Sequence, residues 1–273
     1  MKIGIIGQGF VGNAVYQKFK NFYDVLTFDI DNSKCNSTFK LVAECKYIFI
    51  CLPTPMNKDG SCNIDIVSKV IGDLNKISKS EGLILKSTVP PGTTEQLNQM
   101  FLNVEIVFNP EFLTERNAVS DYENQNRIIL GGPRPVTSNL KQVFSRVFPK
   151  CHIIKTGSGH AEMVKYLTNC FLATKVSFAN EMYDLCTKLE LDYDKVIEYA
   201  KFDNRLGDSH WNVPGHDGDF GFGGHCFPKD MNAIISLTKK LESTNNLLKS
   251  TLKTNDLVRK NRDWENMKGR AIT

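Results

Sequence analysis

The chain has 273 residues, a length typical of two domains, with 41% hydrophobic and 23% charged residues. This composition indicates an ordinary soluble globular protein and excludes a disordered or fibrous one. The formal net charge of +4 is small and the basic residues are spread along the chain, so the charge gives no support to nucleic-acid binding. No apolar run approaches the length of a membrane span, and no membrane association is predicted.

The eight cysteines are scattered, without a CxxC pair and without metal-type clustering with histidine. Such a pattern is typical of reduced thiols in a reducing compartment, which predicts a cytoplasmic protein. His210, His216 and His225 fall in one loop region at irregular spacing. Because no tight His-x-His or glutamate partner accompanies them, no metal site is predicted.

The first thirty residues follow the order strand, glycine turn, helix, strand. An apolar run from Lys2 to Ile6 precedes the sequence Gly7-Gln8-Gly9-Phe10-Val11-Gly12, and a second apolar run, Val25 to Phe28, ends at Asp29. A GxGxxG turn is weak evidence alone. At the start of a βαβ unit, with an acidic residue closing the second strand, it predicts a dinucleotide-binding site.

The residues of this turn have separate physical roles. Gly7 permits the tight turn, Gly9 lets a pyrophosphate approach the backbone, and Gly12 permits close packing of helix and strand. Asp29 would accept hydrogen bonds from the adenosine ribose and would repel a 2′-phosphate, so NAD is predicted over NADP. Lys34, close downstream, acts against that preference. Predicted cofactor contacts also include Phe10, Val11, Thr54 and Thr88.

Strands continue to alternate with helices as far as residue 157. Further strands are predicted at Tyr47–Leu52, Leu83–Lys86, Ile106–Phe108, Ile128–Leu130 and His152–Ile154, and helices at Ile64–Ile77, Thr94–Phe101 and Asn139–Phe148. This alternation predicts an α/β fold with a Rossmann-type, doubly wound parallel sheet in residues 1–157. Ligands bind beyond the carboxyl ends of such strands, which draws attention to the loops at 53–55, 87–92 and 109–115.

Residues 158–273 are predicted to form an all-α domain. There is no glycine or proline from His160 to Leu206, and apolar residues recur at helical spacing, which predicts a long helix and a shorter one. Lys165 and Asn169 are four residues apart and share a helix face. Further helix is predicted from Asn232 to Trp264.

The sequence Gly221-Phe222-Gly223-Gly224-His225-Cys226-Phe227-Pro228-Lys229-Asp230 predicts a reactive cysteine. Glycines let the backbone approach a ligand closely, and a proline in the first helical turn places Cys226 just before a helix N-terminus. Backbone N–H groups there favour a thiolate, and Lys229 adds a cation. Cys226 is therefore a candidate nucleophile, against the alternative of a buried cysteine in a glycine-rich turn.

These motifs together resemble the UDP-glucose and GDP-mannose dehydrogenases. The resemblance runs in order through GQGFVG, CLPTP, KSTVPPGTT, NPEFLTE, the helix carrying Lys165 and Asn169, and GFGGHCFPKD, and it covers nearly the whole chain. It implies a Rossmann domain followed by a long central helix that builds a homodimer. It also implies a twofold oxidation by NAD of the C6 alcohol of a nucleotide sugar, most simply UDP-glucose to UDP-glucuronate.

The resemblance assigns roles to individual residues. Cys226 would attack the intermediate aldehyde to form a thiohemiacetal and then a thioester. Lys165 and Asn169 would stabilise the negative oxygen, which suits a cation and an amide donor. Asp230 and Glu111 would assist the water that hydrolyses the thioester, with the Thr88 hydroxyl near the reacting centre.

Other residues match cofactor or substrate positions of the family. Glu115 and Lys229 match the cofactor side, and Arg205 resembles an arginine that reaches the substrate of a neighbouring subunit. Predicted substrate contacts are Glu111, Phe112, Leu113, Lys165, Asn169, Arg205, Phe220 and Gly223.

Relatives usually continue into a second Rossmann-like domain that holds the substrate nucleotide. The present chain stops at Thr273, either as a natural short form or as a truncated chain, and in both cases weak turnover of full nucleotide sugars by this chain alone is expected. Two alternatives stay open: a two-electron hydroxyacid dehydrogenase, which needs no thiol, and an inactive NAD-binding subunit that needs a partner.

Overall fold

The computed structural model describes residues 1–273, and its contacts divide the chain into two compact units. Unit 1 comprises residues 1–54 and 64–165, and unit 2 comprises residues 55–63 and 166–273. The sequence-based division after residue 157 stays a prediction. The contacts divide the chain after Lys165 instead and assign the short segment 55–63 to unit 2.

Unit 1 is built on a seven-stranded sheet. Its strands are β1 (Lys2–Ile6), β2 (Asp24–Phe28), β3 (Tyr47–Ile50), β4 (Gly82–Leu85), β5 (Ile106–Phe108), β6 (Arg127–Gly131) and β7 (His152–Thr156), in the spatial order β2-β1-β3-β4-β5-β6-β7. The chain order reverses at β1, whose two neighbours are β2 and β3. Such a reversal point is where parallel α/β sheets bind ligands.

The sheet confirms the predicted α/β fold class, with one correction to its pairing. The β5–β6 pair is antiparallel, whereas every other neighbouring pair is parallel. The connection between β5 and β6 contains a 3-10 turn, Glu115–Asn117, and a helix of six residues, Ala118–Glu123. Mixed sheets of this kind are common among large sheets, including those of doubly wound folds.

Helices cover both faces of this sheet. The helices that begin in unit 1 are α1 (Phe10–Phe19), α2 (Phe39–Ala43), α3 (Asp65–Ile77), α4 (Thr93–Met100), α5 (Ala118–Glu123), α6 (Arg134–Val147) and α7 (Ser158–Lys188). Alternate residues of one strand face opposite layers, as in β3, where Phe49 packs into one apolar cluster and Ile48 and Ile50 into the other. This double burial explains why the strands are apolar without alternation.

Several predicted boundaries needed correction. The helix predicted to start at Asn139 begins at Arg134, because Pro135 lies in the first turn, where no backbone N–H is required. The sequence reasoning missed the short helices α2 and α5, which have too few residues for a periodic pattern.

Unit 2 consists of helices and one long loop. Most of α7 belongs to it, together with α8 (Tyr193–Ala200), α9 (Phe227–Lys240) and α10 (Asn246–Val258). The further helix predicted from Asn232 to Trp264 comprises most of α9 and all of α10, with a break between them. Tyr166, Phe222 and Met231 belong to its main apolar cluster. No helix of the chain is both long enough and apolar enough to cross a bilayer.

Candidate active site

The glycine turn after β1 leaves room for a phosphate group. Gly7 has a φ of +92°, which favours glycine, and a Cβ on Gly12 would lie 1.8 Å from the carbonyl oxygen of Gly7. A Cβ on Gly9, by contrast, would meet no atom within 4 Å. Gly9 is the N-cap of α1 and has no side chain that could cap the helix. Open space therefore adjoins the N-terminus of α1, a setting that suits a pyrophosphate.

Asp29 is fixed beside this turn at the end of β2. Its carboxylate accepts hydrogen bonds from the backbone N–H groups of Gln8, at 2.6 Å, and Asp31, at 2.9 Å. Lys34 pairs with Asp31 at 3.3 Å, and about half of each side chain is exposed. The cation that weighed against NAD is thus engaged by a different carboxylate. These residues fit NAD, with Asp29 available to the ribose.

The remaining predicted cofactor residues lie at several positions of the chain. Phe10 and Val11 form the half-buried first turn of α1. Thr54 is buried, and its hydroxyl donates to the carbonyl oxygen of Thr88 at 2.8 Å, which joins the loops after β3 and β4. Glu115 is exposed. Contact of these residues with the cofactor stays a prediction.

Glu162 orders the loop that contains Thr88. This fully buried carboxylate accepts hydrogen bonds from the N–H groups of Gly92, at 2.7 Å, and Thr94, at 2.8 Å, and from the Thr94 hydroxyl. It therefore caps α4, whose own N-cap residue is Gly92. Sequence reasoning missed Glu162, although an acid within an apolar helix face is a signal for such a role.

Glu111 and Lys165 form a buried ion pair in unit 1. The Lys165 ammonium lies 2.8 Å from a Glu111 carboxylate oxygen and 2.7 Å from the Glu111 carbonyl oxygen, and both side chains are about 5% exposed. Burial raises the pKa of Glu111, but the Lys165 charge and hydrogen bonds outweigh it and hold the pKa below its usual value. Glu111 is thus an ionised acceptor and Lys165 a fixed cation.

Lys86 is a second buried cation of unit 1 that the sequence reasoning did not single out. Its ammonium donates to the Asn109 side-chain oxygen at 2.9 Å and lies 5.3 Å from the centre of the Tyr122 ring. Burial lowers its pKa to about 8, although the nearby Cys51 and Glu111 act in the opposite direction. Lys86 thereby anchors the residues that immediately precede Glu111.

Cys226 is the N-cap residue of α9, as the proline position predicted, with Pro228 in the first helical turn. The Cys226 side chain itself does not cap the helix. All eight cysteines are thiols. Burial raises the pKa of Cys51 and Cys170 to about 12 each, which keeps both protonated and unreactive at neutral pH.

Three polar residues of unit 2 form a buried cluster at the start of α9. Asp230 accepts hydrogen bonds from Asn169 at 2.6 Å and from Lys229 at 2.5 Å, and all three residues are at most 6% exposed. Burial disfavours the charge of Lys229, but Asp230 outweighs it and raises the pKa of Lys229. The cluster contains a carboxylate, an amide and an ammonium one helical turn from Cys226.

The predicted substrate residues have varied surroundings. Phe112 is half-buried, with the Arg127 guanidinium 4.2 Å from its ring centre, and the N–H of Leu113 donates to Glu111. Phe220 packs edge-on against an aromatic ring of α7. Arg205 is largely exposed and pairs with the adjacent Asp203. Their contact with substrate stays a prediction. No group of three His, Cys, Asp or Glu side chains is arranged to hold a metal ion.

The fold and these residues are those of an NAD-binding dehydrogenase. A βαβ glycine turn with a fixed carboxylate supplies the cofactor site, and buried polar clusters lie in both units. The chain belongs to the UDP-glucose/GDP-mannose dehydrogenase family. The family's NAD binding domain matches residues 34–151 and its central domain matches residues 159–257. The family match confirms NAD as the cofactor.

Individual relatives agree with this membership. The UDP-glucose 6-dehydrogenase YwqF of Bacillus subtilis is 34% identical over 225 residues, which are 80% of this chain and 50% of the relative. A UDP-glucose 6-dehydrogenase of Campylobacter jejuni is 30% identical over 294 residues, 95% of this chain and 73% of the relative. This chain therefore spans between half and three quarters of the length of these relatives.

A solved structure shares the fold. The UDP-glucose dehydrogenase from the hyperthermophilic archaeon Pyrobaculum islandicum matches with a TM-score of 0.82 and 25% sequence identity, over 94% of this chain and 68% of that chain. The similarity extends over nearly all of the present chain, as the resemblance of its ordered motifs predicted.

Proposed function

We propose that this chain oxidises the C6 primary alcohol of a nucleotide sugar to a carboxylate in two NAD-dependent steps, with UDP-glucose as the preferred substrate. The observation that carries the proposal is the location of Cys226 at the N-cap of α9, one turn from the buried Asn169, Lys229 and Asp230 cluster. Oxidation of an alcohol to an aldehyde needs no thiol. Oxidation of the aldehyde to an acid is assisted by a nucleophile that first adds to its carbon.

The chain's residues are proposed to act in sequence on the substrate. NAD, when bound, supplies a hydride acceptor for each oxidation. The Cys226 thiolate adds to the aldehyde carbon, and the carbonyl electron pair moves to oxygen to give a thiohemiacetal anion. Lys165 and Asn169 offer a cation and an amide donor to that oxygen. The second oxidation removes the hydrogen on the same carbon and leaves a thioester.

Hydrolysis of the thioester completes the proposed reaction. Water adds to the thioester carbon, the carbon–sulfur bond breaks, and Cys226 leaves as a thiolate that is ready for another turnover. Glu111 and Asp230 are carboxylates suited to orient this water or to accept its proton. Thr88 is proposed to donate a hydrogen bond near the reacting carbon.

A homodimer is proposed through α7. Large apolar side chains on this helix are 46% to 65% exposed and recur at intervals of four or seven residues: Met163, Leu167, Phe171, Phe178 and Leu185. This spacing forms a stripe along one helix face, which suits packing against a second copy. Phe178→Glu with Leu185→Glu is expected to convert a dimer to a monomer in light scattering, and Lys188→Glu, at the exposed end of the same helix, serves as the control.

The reaction is tested by NADH stoichiometry with UDP-glucose and a panel of other nucleotide sugars. Two NADH per sugar are expected, and Cys226→Ala should abolish the second oxidation. Cys186→Ala replaces a buried thiol in another part of unit 2 and should leave turnover intact. One NADH per sugar with Cys226 dispensable would indicate a two-electron hydroxyacid-type dehydrogenase. Measurable NAD binding without any NADH would indicate an inactive subunit.

A further inference from the structure

The glycine-rich loop before Cys226 is held by side chains from α10 and from the turn that follows it. Asn255 is 1% exposed and forms two hydrogen bonds with the backbone of Phe222. Its side-chain oxygen accepts from the Phe222 N–H at 2.6 Å, and its side-chain nitrogen donates to the Phe222 carbonyl oxygen at 3.0 Å. One amide therefore satisfies both polar groups of a buried loop residue.

A second attachment lies two residues before the cysteine. Both carboxylate oxygens of Asp263 accept from the Gly224 N–H at 3.1 Å. The Arg259 guanidinium lies 3.3 Å from Asp263 and 2.7 Å from Asp217, and its side chain is 1% exposed. A buried guanidinium is costly unless opposite charges and hydrogen-bond acceptors surround it. Arg259 therefore fixes the direction in which Asp263 faces the loop.

Two glycines of the loop make room for these side chains. A Cβ on Gly221 would lie 2.3 Å from the side-chain oxygen of Asn255, and a Cβ on Gly223 would lie 2.2 Å from a terminal nitrogen of Arg259. The sequence reasoning attributed the glycine cluster to close approach of a ligand. The structure gives Gly221 and Gly223 a different reason, which is close packing of the loop against residues thirty to forty positions later.

We propose that Asn255 and Asp263, the latter oriented by Arg259, are positioning residues for Cys226. Their hydrogen bonds to Phe222 and Gly224 fix the backbone on the N-terminal side of Cys226, while α9 fixes the other side. The position of the sulfur relative to the helix N–H groups then depends on both attachments. The inference deepens the proposed function, and its thiol-reactivity test does not depend on turnover.

The test uses Asp263→Ala with Glu265→Ala as the matched control. Both acids lie in the same short turn, and Glu265 pairs only with Arg262 at the surface, where its side chain is 53% exposed. Iodoacetamide labelling is followed for each cysteine-containing peptide by mass spectrometry, and kcat and KM are measured from NADH. Labelling of Cys226 should slow about tenfold or more in Asp263→Ala, the effect of losing a hydrogen bond to a charged acceptor.

Whether the labelling change is confined to Cys226 distinguishes a positioning role from general loosening of the fold. In Asp263→Ala the other seven cysteines should label as in the wild type, and kcat should fall about tenfold while KM changes by less than about twofold. Asp263→Asn, which keeps one acceptor oxygen for the Gly224 N–H, should restore much of the rate. Unchanged labelling of Cys226, or an equal change at all cysteines, overturns the proposal.

A variant of Asn255 keeps the test independent of a single site. Asn255→Asp preserves volume but turns an acceptor toward the Phe222 carbonyl oxygen, so it should slow Cys226 labelling in the same selective way. If the wild type produces no NADH from any sugar while both variants still slow Cys226 labelling, the proposed function fails and the positioning role stands. If turnover is normal and labelling is unaffected in both variants, only the positioning role fails.

Discussion

Replacing Lys165 by methionine tests the reasoning about the buried ion pair. Methionine keeps most of the side-chain volume but leaves Glu111 without the cation at 2.8 Å. Breaking a buried pair by removing one partner typically costs about 3–5 kcal/mol. The loss of unfolding free energy has an upper limit, because Glu111 can take up a proton instead of staying charged without a partner. Protonating a carboxyl group of ordinary pKa at pH 7 costs about 4 kcal/mol.

The pH dependence gives the sign of the effect. In the wild type the pKa of Glu111 is lowered, so the pair contributes stability above the unfolded-state pKa of about 4.3 and loses it as pH falls through the lower folded-state pKa. In Lys165→Met, burial raises the pKa of Glu111, and the penalty disappears as pH falls toward about 4.3. The stability difference between the two proteins should therefore be largest near neutral pH.

The assay is urea unfolding followed by circular dichroism at several pH values. Both tryptophans, Trp211 and Trp264, belong to unit 2, so their fluorescence follows that unit separately. Lys188→Met makes the same change on the same helix at an exposed pair and should cost less than about 1 kcal/mol. Adding Glu111→Gln to Lys165→Met should recover most of the loss. A small loss in Lys165→Met, or no recovery in the double variant, would refute the reasoning.

Other outcomes follow from unit 1. Gly9→Ala should keep the wild-type urea midpoint but weaken NAD binding in calorimetry, since its methyl group enters open space at the start of α1. Gly12→Ala should both lower the urea midpoint and weaken NAD binding, because its Cβ would collide with Gly7. A normal urea midpoint would contradict this. Glu162→Ala should cost about 1–3 kcal/mol and speed hydrogen exchange in the first turn of α4; unchanged exchange there would count against the capping role. The difference in unfolding free energy between the wild type and Lys86→Met should shift in favour of the wild type between about pH 8 and the unfolded lysine pKa of about 10.4, since unfolded Lys86 binds a proton there that folded Lys86 has lost. Comparing the two proteins cancels the opposite contribution of the buried thiols, and a difference that does not change with pH would contradict this.

The local sequence was sufficient to predict features that depend on residues close together in the chain. The glycine turn, Asp29 at the end of β2, and the helix that starts after Cys226 each follow from the conformational limits of glycine, proline and short apolar runs. Strand and helix order followed from hydrophobic periodicity, and it was enough for the fold class. Boundaries failed where elements were short or where a proline lay inside a first helical turn.

Only the tertiary structure decided which polar groups meet. Lys165 pairs with Glu111 across 54 positions, Asn169 with Asp230 across 61, and Asn255 with Phe222 across 33. Helical spacing placed Lys165 and Asn169 on one face but gave each no partner, because a side chain's partner depends on packing between distant segments. For the same reason the glycines before Cys226 were assigned to a ligand, and their contacts with Asn255 and Arg259 emerged only from the folded chain.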